Sequence, residues 1–287
     1  MEPSALTTHA NPGRQHLAAP LLALNLGITG HRPNRLPKDL APIRARLEHV
    51  FWRIRTALSN LPQRDAFSTA MPHLRLTSAL ATGSDVLAAQ LAIEAGYELG
   101  VCLPFSEGEY RKDFPDAADQ DTFSHLLTRA GSVVELAGDR EAANAAYEAV
   151  GLTTLSFSDV LIAVWDGVPS TAMGGAAWVI SGALREGMPV LWVHAQDGRV
   201  RLLTPPSPHG ELLGAAARSG GSLDLDAADA VASFHSSLAP LLAPTFDGDA
   251  AEEHDFDAYA RSRLSYRSFF GDGVRTGKPK LKTFATA

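Results

Sequence analysis

The chain has 287 residues, 45% hydrophobic and 20% charged, enough apolar material for one large domain with extensions or for two small ones. A formal charge of -7 and a pI of about 5.8 argue against a broad nucleic-acid face. The single cysteine excludes a disulfide framework within the chain, and Cys102, inside an apolar run, reads as a small buried hydrophobe of a reduced, cytoplasmic protein.

Residues 1–20 read as a flexible leader. The apolar run Leu21-Leu22-Ala23-Leu24-Asn25-Leu26 reads as a buried first strand that stops at a tight turn, Gly27-Ile28-Thr29-Gly30, followed by His31 and Arg32. Residues 40–58 then carry Leu40, Ile43, Leu47, Val50, Phe51, Ile54 and Leu58 at helical spacing. Strand, glycine loop and helix in this order present backbone N–H groups to an anion. Thr29 adds a hydroxyl and Arg32 a planar fork of donors suited to phosphate.

A polar connection, 60–71, leads to a second strand, 73–80, which ends at Ala81-Thr82-Gly83-Ser84-Asp85. A helix follows as far as Gly96, with Ser84 or Asp85 as its N-cap. Residues 99–103 read as a third strand. The charged segment 107–121 reads either as a solvated loop or as a lid, with Tyr110 and Arg111 closing on a ligand. A helix at 123–129, a strand at 132–136 and an alanine-rich helix at 141–156 come next. The strand 159–165 ends on Asp166-Gly167; Gly174-Gly175 then opens a helix, 176–185, and a last strand spans 189–193. Beyond residue 202 the pattern decays into a helical extension, 204–270, and a flexible basic tail, 271–287.

Near-continuous apolar strands alternating with helices imply an α/β domain over 21–203, a mostly parallel sheet covered on both faces. Its glycine turns fall at strand C-terminal ends, the edge where such sheets bind ligands. Gly27, Thr29, Gly30, His31, Arg32, Thr82, Gly83, Ser84, Asp85, Asp166, Gly167, Gly174 and Gly175 are therefore the candidate ligand residues. Each has a plainer alternative: the glycines as tight turns or packing positions, Ser84 or Asp85 as a cap, Asp166 as a turn residue. Asp85 and Asp166 suit ribose or base, because a carboxylate repels phosphate. Trp165 and Trp178 read as core, or as a base-stacking platform. The ten histidines and one cysteine show no metal-ligand spacing, no nucleophile elbow is present, and no apolar run reaches the length of a membrane span.

Taken together, Gly27-Ile28-Thr29-Gly30-His31-Arg32, Ala81-Thr82-Gly83-Ser84-Asp85 and Gly174-Gly175 with Gly187-Met188-Pro189-Val190 resemble the SLOG superfamily. That group includes DNA-processing protein A, the "lonely guy" cytokinin-activating enzymes and bacterial sensor domains. Pro104-Phe105, Glu109-Tyr110 and Asp113-Phe114 are similar to the sensor-like branch whose first loop reads Gly-x-Thr-Gly-His-Arg. The resemblance implies a Rossmann-like three-layer α/β/α domain binding a nucleotide or nucleotide-derived molecule, without a required cofactor, as a sensor in bacterial stress or anti-phage defence. It also implies self-association. The base-cleaving members carry Pro-Gly-Gly-x-Gly-Thr-x-x-Glu; here the stretch is Met173-Gly174-Gly175-Ala176-Ala177-Trp178, so that catalytic motif is not intact. Two alternatives stay open: a nucleotide N-glycosidase, with Asp85, Glu109 and Asp166 as candidate catalytic carboxylates, and a single-stranded-DNA-binding relative, which the acidic balance disfavours.

Overall fold

The computed structural model describes residues 21–60, 68–114, 116–169 and 174–203. The expected leader, helical extension and basic tail lie outside these residues. The strands are β1 (Ala23–Gly30), β2 (His73–Ser78), β3 (Glu98–Leu103), β4 (Ser132–Glu135), β5 (Val160–Trp165), β6 (Val190–His194) and β7 (Val200–Leu203). They form one sheet in the order β4-β3-β2-β1-β5-β6-β7, parallel throughout except for β7, which pairs antiparallel with β6. The fold is the expected α/β, Rossmann-like one. β7 has no counterpart in the sequence reading, because Val200–Leu203 is too short for a pattern; its place is decided by pairing along β6.

The helices are α1 (Ala41–Ser59), α2 (Ser84–Glu94), α3 (Glu107–Tyr110), α4 (Ala117–Arg129), α5 (Ala143–Ser156) and α6 (Ala176–Arg185). Strand period 2 divides the core between the two faces of the sheet. Val160, Ile162 and Val164 of β5 join β1, α1 and α2 in one cluster, while Leu161, Ala163 and Trp165 join α6 in another. All six β5 residues are thus buried, and the apolar run is continuous rather than alternating. Trp165 is core and donates its indole N–H to the Val168 carbonyl. A third cluster packs Phe123 and Leu126 of α4 on Leu99, Val101 and Leu103 of β3.

Three local readings need correction. β1 does not stop at Gly27; it runs through Gly30, with Gly27 paired to Thr77 and Leu161, and Gly30 paired to Val164. The expected turn is the second half of the strand, because β1 is central and its backbone groups are taken by β2 and β5. The α2 cap is Gly83, with φ of 100°, not Ser84 or Asp85, which are already helical. The charged segment is not a loop: α3 runs into a 3-10 turn, Arg111–Asp113, and α4 begins six residues before the expected Phe123. Tyr110 is 1% exposed and lies edge-on to Phe114 and Phe123, an anchored arrangement that does not suit a lid.

In the sheet, Gly27 and Gly30 serve close approach. A Cβ on Gly30 would lie 2.6 Å from the Ser84 Cβ and 2.9 Å from the Val164 carbonyl oxygen. A Cβ on Gly27 would meet side chains only, the Ser158 Oγ at 2.5 Å, Thr154 Cγ2 at 3.2 Å and Leu161 Cδ1 at 3.3 Å, and Ser158 can give way by leaving the Thr154 carbonyl to which it donates. Gly30→Ala is therefore expected to destabilise the protein by about 3 kcal/mol, at the upper end of overpacking costs, and Gly27→Ala by about 1 kcal/mol. Urea unfolding of the two variants measures both, and equal losses would contradict the packing assigned to Gly30.

Candidate functional site

The chain moves from β1 outward to β4 with α1, α2 and α4 on one face, then returns to β5 beside β1 and proceeds through α6 on the other. Between β1 and β5 the connections leave in opposite directions, so the loops at that edge part and leave a crevice. A cavity of about 590 Å³ occupies it. Its walls come from the end of β1 (Ile28, Thr29, Gly30), the loop after it (His31, Arg32, Asn34, Arg35), the start of α2 (Ala81, Asp85), α3 and its 3-10 turn (Tyr110, Asp113), α5 (Tyr147, Gly151, Thr154) and the start of α6 (Gly174, Gly175, Ala176, Ala177).

The β1 exit is pinned from three sides at His31. Its N–H donates to the Val164 carbonyl at 3.2 Å, and its carbonyl accepts from the Ser84 N–H at 3.1 Å and the Ser84 hydroxyl at 3.0 Å. Its Nε2 lies 3.1 Å from the Asp166 N–H and 3.0 Å from Asp166 Oδ1; it accepts from the first when neutral and donates to the second when protonated. Burial lowers the imidazole pKa below its ordinary value against the opposing pull of Asp166. Gly83 is indispensable to this arrangement, since a Cβ there would sit 2.6 Å from the His31 carbonyl oxygen.

The carboxylates differ sharply in what they hold. Asp166 accepts from Arg35 through Nε at 3.1 Å and Nη2 at 2.6 Å, and from the Val168 N–H at 3.0 Å. Burial acts to raise its pKa, but these bonds and His31 hold it below the usual carboxylate range. Asp113 accepts from Arg140 and from the Tyr147 hydroxyl, and lies 3.8 Å from Arg32. Glu109 is held low by Lys112 and Arg140. Among the described residues Asp85 has no arginine in ion-pair contact; it accepts from the Ala81 N–H, and Arg32 acts on it only at a distance. It is 7% exposed, and burial pushes its carboxyl up to about 7.

Arg32 is 44% exposed at the cavity rim, with its guanidinium 5.7 Å from the centre of the Tyr147 ring. In the same cavity wall α6 opens on Gly175, a glycine with no side chain to cap the helix. In the first α6 turn the Trp178 N–H donates to the Gly175 carbonyl at 2.9 Å, while the N–H groups of Ala176 and Ala177, two residues that line the cavity, have no partner among the described residues. Gly174, with φ of 73°, lies so close to α5 that a Cβ would be 2.8 Å from the Glu148 backbone nitrogen.

Of the residues expected from sequence, Thr29, Gly30, His31, Arg32, Asp85, Tyr110, Gly174 and Gly175 line the cavity. Gly27, Thr82, Gly83, Ser84, Glu109, Arg111, Asp166 and Gly167 are not among its walls. Asp166 and Ser84 instead support the loop that is. Sequence reasoning missed Arg35 and Tyr147 as site residues; Asp113 belongs to the charged segment read as a loop or lid beside Tyr110 and Arg111, and the structure places it in the cavity wall. Tyr147 carried no signal, being one aromatic in an alanine-rich helix. Among the described residues no group of three His, Cys, Asp or Glu side chains is arranged to hold a metal, and no helix is long and apolar enough to cross a membrane.

The Asp85 carboxyl makes stability pH-dependent. In the unfolded chain it ionises near 3.8, in the folded protein near 7, so between these values the folded state holds the extra proton and stability falls as pH rises. Asp85→Asn is expected to remove this slope and to be the more stable protein at pH 8, by an amount on the order of a few kcal/mol. Denaturant titrations of both proteins at pH 5 and pH 8 check it; parallel pH profiles would mean that Asp85 is not held protonated by burial.

No family model matches the chain, and no curated protein matches it. Similar solved structures include DNA processing protein A from Streptococcus pneumoniae, at 16% identity and TM-score 0.41, covering 68% of this chain and 55% of that one. DNA processing protein A from Helicobacter pylori, described for its single-stranded DNA binding mode, is similar at 16% identity and TM-score 0.42, covering 75% and 80%. The protein TM1055 is similar at 17% identity and TM-score 0.35, covering 61% and 76%. This chain thus spans about 55% of the length of the S. pneumoniae protein. The likeness is one of fold, and the reading of the site rests on the residues described above.

Proposed function

We propose that this chain binds a small phosphorylated ligand, a nucleotide or nucleotide-derived molecule, in the cavity between β1 and β5, as a sensing or signal-binding domain. The observation that carries this reading is the presence of two anion-seeking elements in the wall of one cavity: the start of α6 at Gly175, which no side chain of a described residue caps, and the rim guanidinium of Arg32. The helix end offers fixed N–H donors and the positive end of its dipole. Arg32 offers a planar fork and is only loosely held, 3.8 Å from Asp113. A volume of about 590 Å³ falls within the range of small-molecule sites.

Arg35 is no alternative anchor, because Asp166 occupies it. Of the two glycine segments suited to a phosphate, Gly27–Gly30 and Gly174–Gly175, the second is the better placed, since the Gly27 backbone belongs to the sheet. Of the three candidate catalytic carboxylates, Glu109 and Asp166 are tied to basic side chains, which leaves a hydrolytic reading Asp85 alone.

A thermal-shift screen against AMP, NAD, ADP-ribose and cyclic nucleotides, each at about a hundred times its dissociation constant, is expected to yield a ligand that stabilises the protein by about 2.7 kcal/mol. Chromatography is expected to return that ligand intact. Arg32→Ala is expected to weaken binding about tenfold or more, and Gly175→Asp, at a φ of -78° that any residue adopts, to abolish it by setting a carboxylate in the anion site. A stabilising ligand whose affinity ignores both substitutions would refute this site.

A further inference from the structure

We propose that Asp85 is the sugar-binding carboxylate of this cavity, accepting hydrogen bonds from the vicinal hydroxyls of a ribose, so that the site takes phosphorylated ribose derivatives and rejects their 2-deoxy analogues. The inference rests on the phosphate reading above and names the class of ligand more narrowly. It stands on three observations. Of the carboxylates in the cavity wall, Asp113 is occupied by Arg140 and Tyr147, whereas Asp85 has no arginine in contact among the described residues. Asp85 is buried from bulk solvent yet lines the cavity, so a group brought by a ligand can reach it. It sits on the first turn of α2, held in place from Ser84 to His31, and so on a rigid element across β1 from the α6 anion site.

A phosphate is the wrong partner for Asp85, since like charges repel, and a bare apolar group would leave the carboxyl no donor beyond the Ala81 N–H. Two hydroxyl donors on adjacent carbons match the two oxygens of a carboxylate. The groups facing Asp85 are Arg32 from the loop after β1, the Tyr110 phenol from α3 and the Ala81 N–H from the β2–α2 connection. Asp113 and Tyr147 stand behind Tyr110 and Arg32.

This arrangement gives proton linkage a diagnostic sign. The carboxyl, pushed up to about 7 by burial, must be ionised to accept from two hydroxyls. A ribose phosphate therefore displaces its proton, and affinity rises with pH up to about 7 and then levels off. Inorganic phosphate only neutralises Arg32, which strengthens the hold of Asp85 on its proton, so its binding gains nothing from that ionisation.

The test is calorimetric titration of the full chain with ribose 5-phosphate, 2-deoxyribose 5-phosphate and inorganic phosphate from pH 6 to pH 8.5, repeated on Asp85→Asn. The second ionisation of a phosphate monoester, near pKa 6, acts alike on both sugar phosphates and cancels in their ratio. Ribose 5-phosphate is expected to bind at least about tenfold tighter than the deoxy sugar at pH 8. That ratio is expected to grow as pH rises through 7 in the native protein and to stay flat in Asp85→Asn. Equal affinities for the two sugars, or a ratio that ignores pH, would overturn the assignment of Asp85 and leave the phosphate site standing. Failure of all three probes at millimolar concentration would overturn the phosphate reading, and this inference with it.

Discussion

The upper edge of this sheet is organised by one peptide, that of His31. Its N–H goes to β5, its carbonyl takes two bonds from Ser84 at the start of α2, and its imidazole meets Asp166 across the crevice. That closeness is possible because Gly30 and Gly83 carry no side chains where Ser84 and the His31 carbonyl approach. Buried backbone groups must find partners, and here one residue ties the ends of β1 and β5 to the start of α2. The positions of Arg32 and Asp85 follow from it, one residue beyond His31 and one beyond Ser84 respectively.

Charge is distributed over the cavity by the same logic. Carboxylates beside an arginine are spent on structure: Asp166 braces the loop after β1 through Arg35, and Asp113 joins Arg140 to Tyr147 beneath the rim. Asp85 is desolvated without such a partner, which disfavours its charged form and raises its pKa. A buried group left in that condition costs stability, and such costs concentrate where proteins bind ligands. Leu80, in the same connection, adds to the pattern: it is fully buried with φ of 55°, an unfavourable backbone for a side chain of its size, held by the Ser78 hydroxyl.

Much of the fold was legible because local patterns and tertiary demands agree. β5 read as a buried strand since both its faces are covered, and α1 read as a helix since Ile43, Leu47, Val50, Phe51, Ile54 and Leu58 face one core. Gly174-Gly175 announced the start of α6 correctly. The site was legible only in part. Glycines in a central strand and glycines in a turn look alike in sequence, and Gly27 was assigned to the wrong one. The segment containing Tyr110 reads as polar, yet Tyr110, Phe114 and Phe123 are brought together by the 3-10 turn between α3 and α4.

What the sequence by itself determined is the alternation of strands and helices, the two-faced burial of the sheet and the chemistry available at strand ends, because these depend on residue type and on periods of 2 and 3.6. What only the tertiary structure decided is which strand-end residues meet. The return of the chain to β5 beside β1 brings Asp166, 131 positions distant, onto Arg35, while α5 carries Tyr147, and the 3-10 turn Arg140–Ala142 before it carries Arg140, to Asp113. Pairings across such separations are set by strand order and packing, which no local pattern encodes. The same topology that occupies Asp166 and Asp113 leaves Asp85, among the described residues, without an arginine in a cavity that the start of α6 also lines.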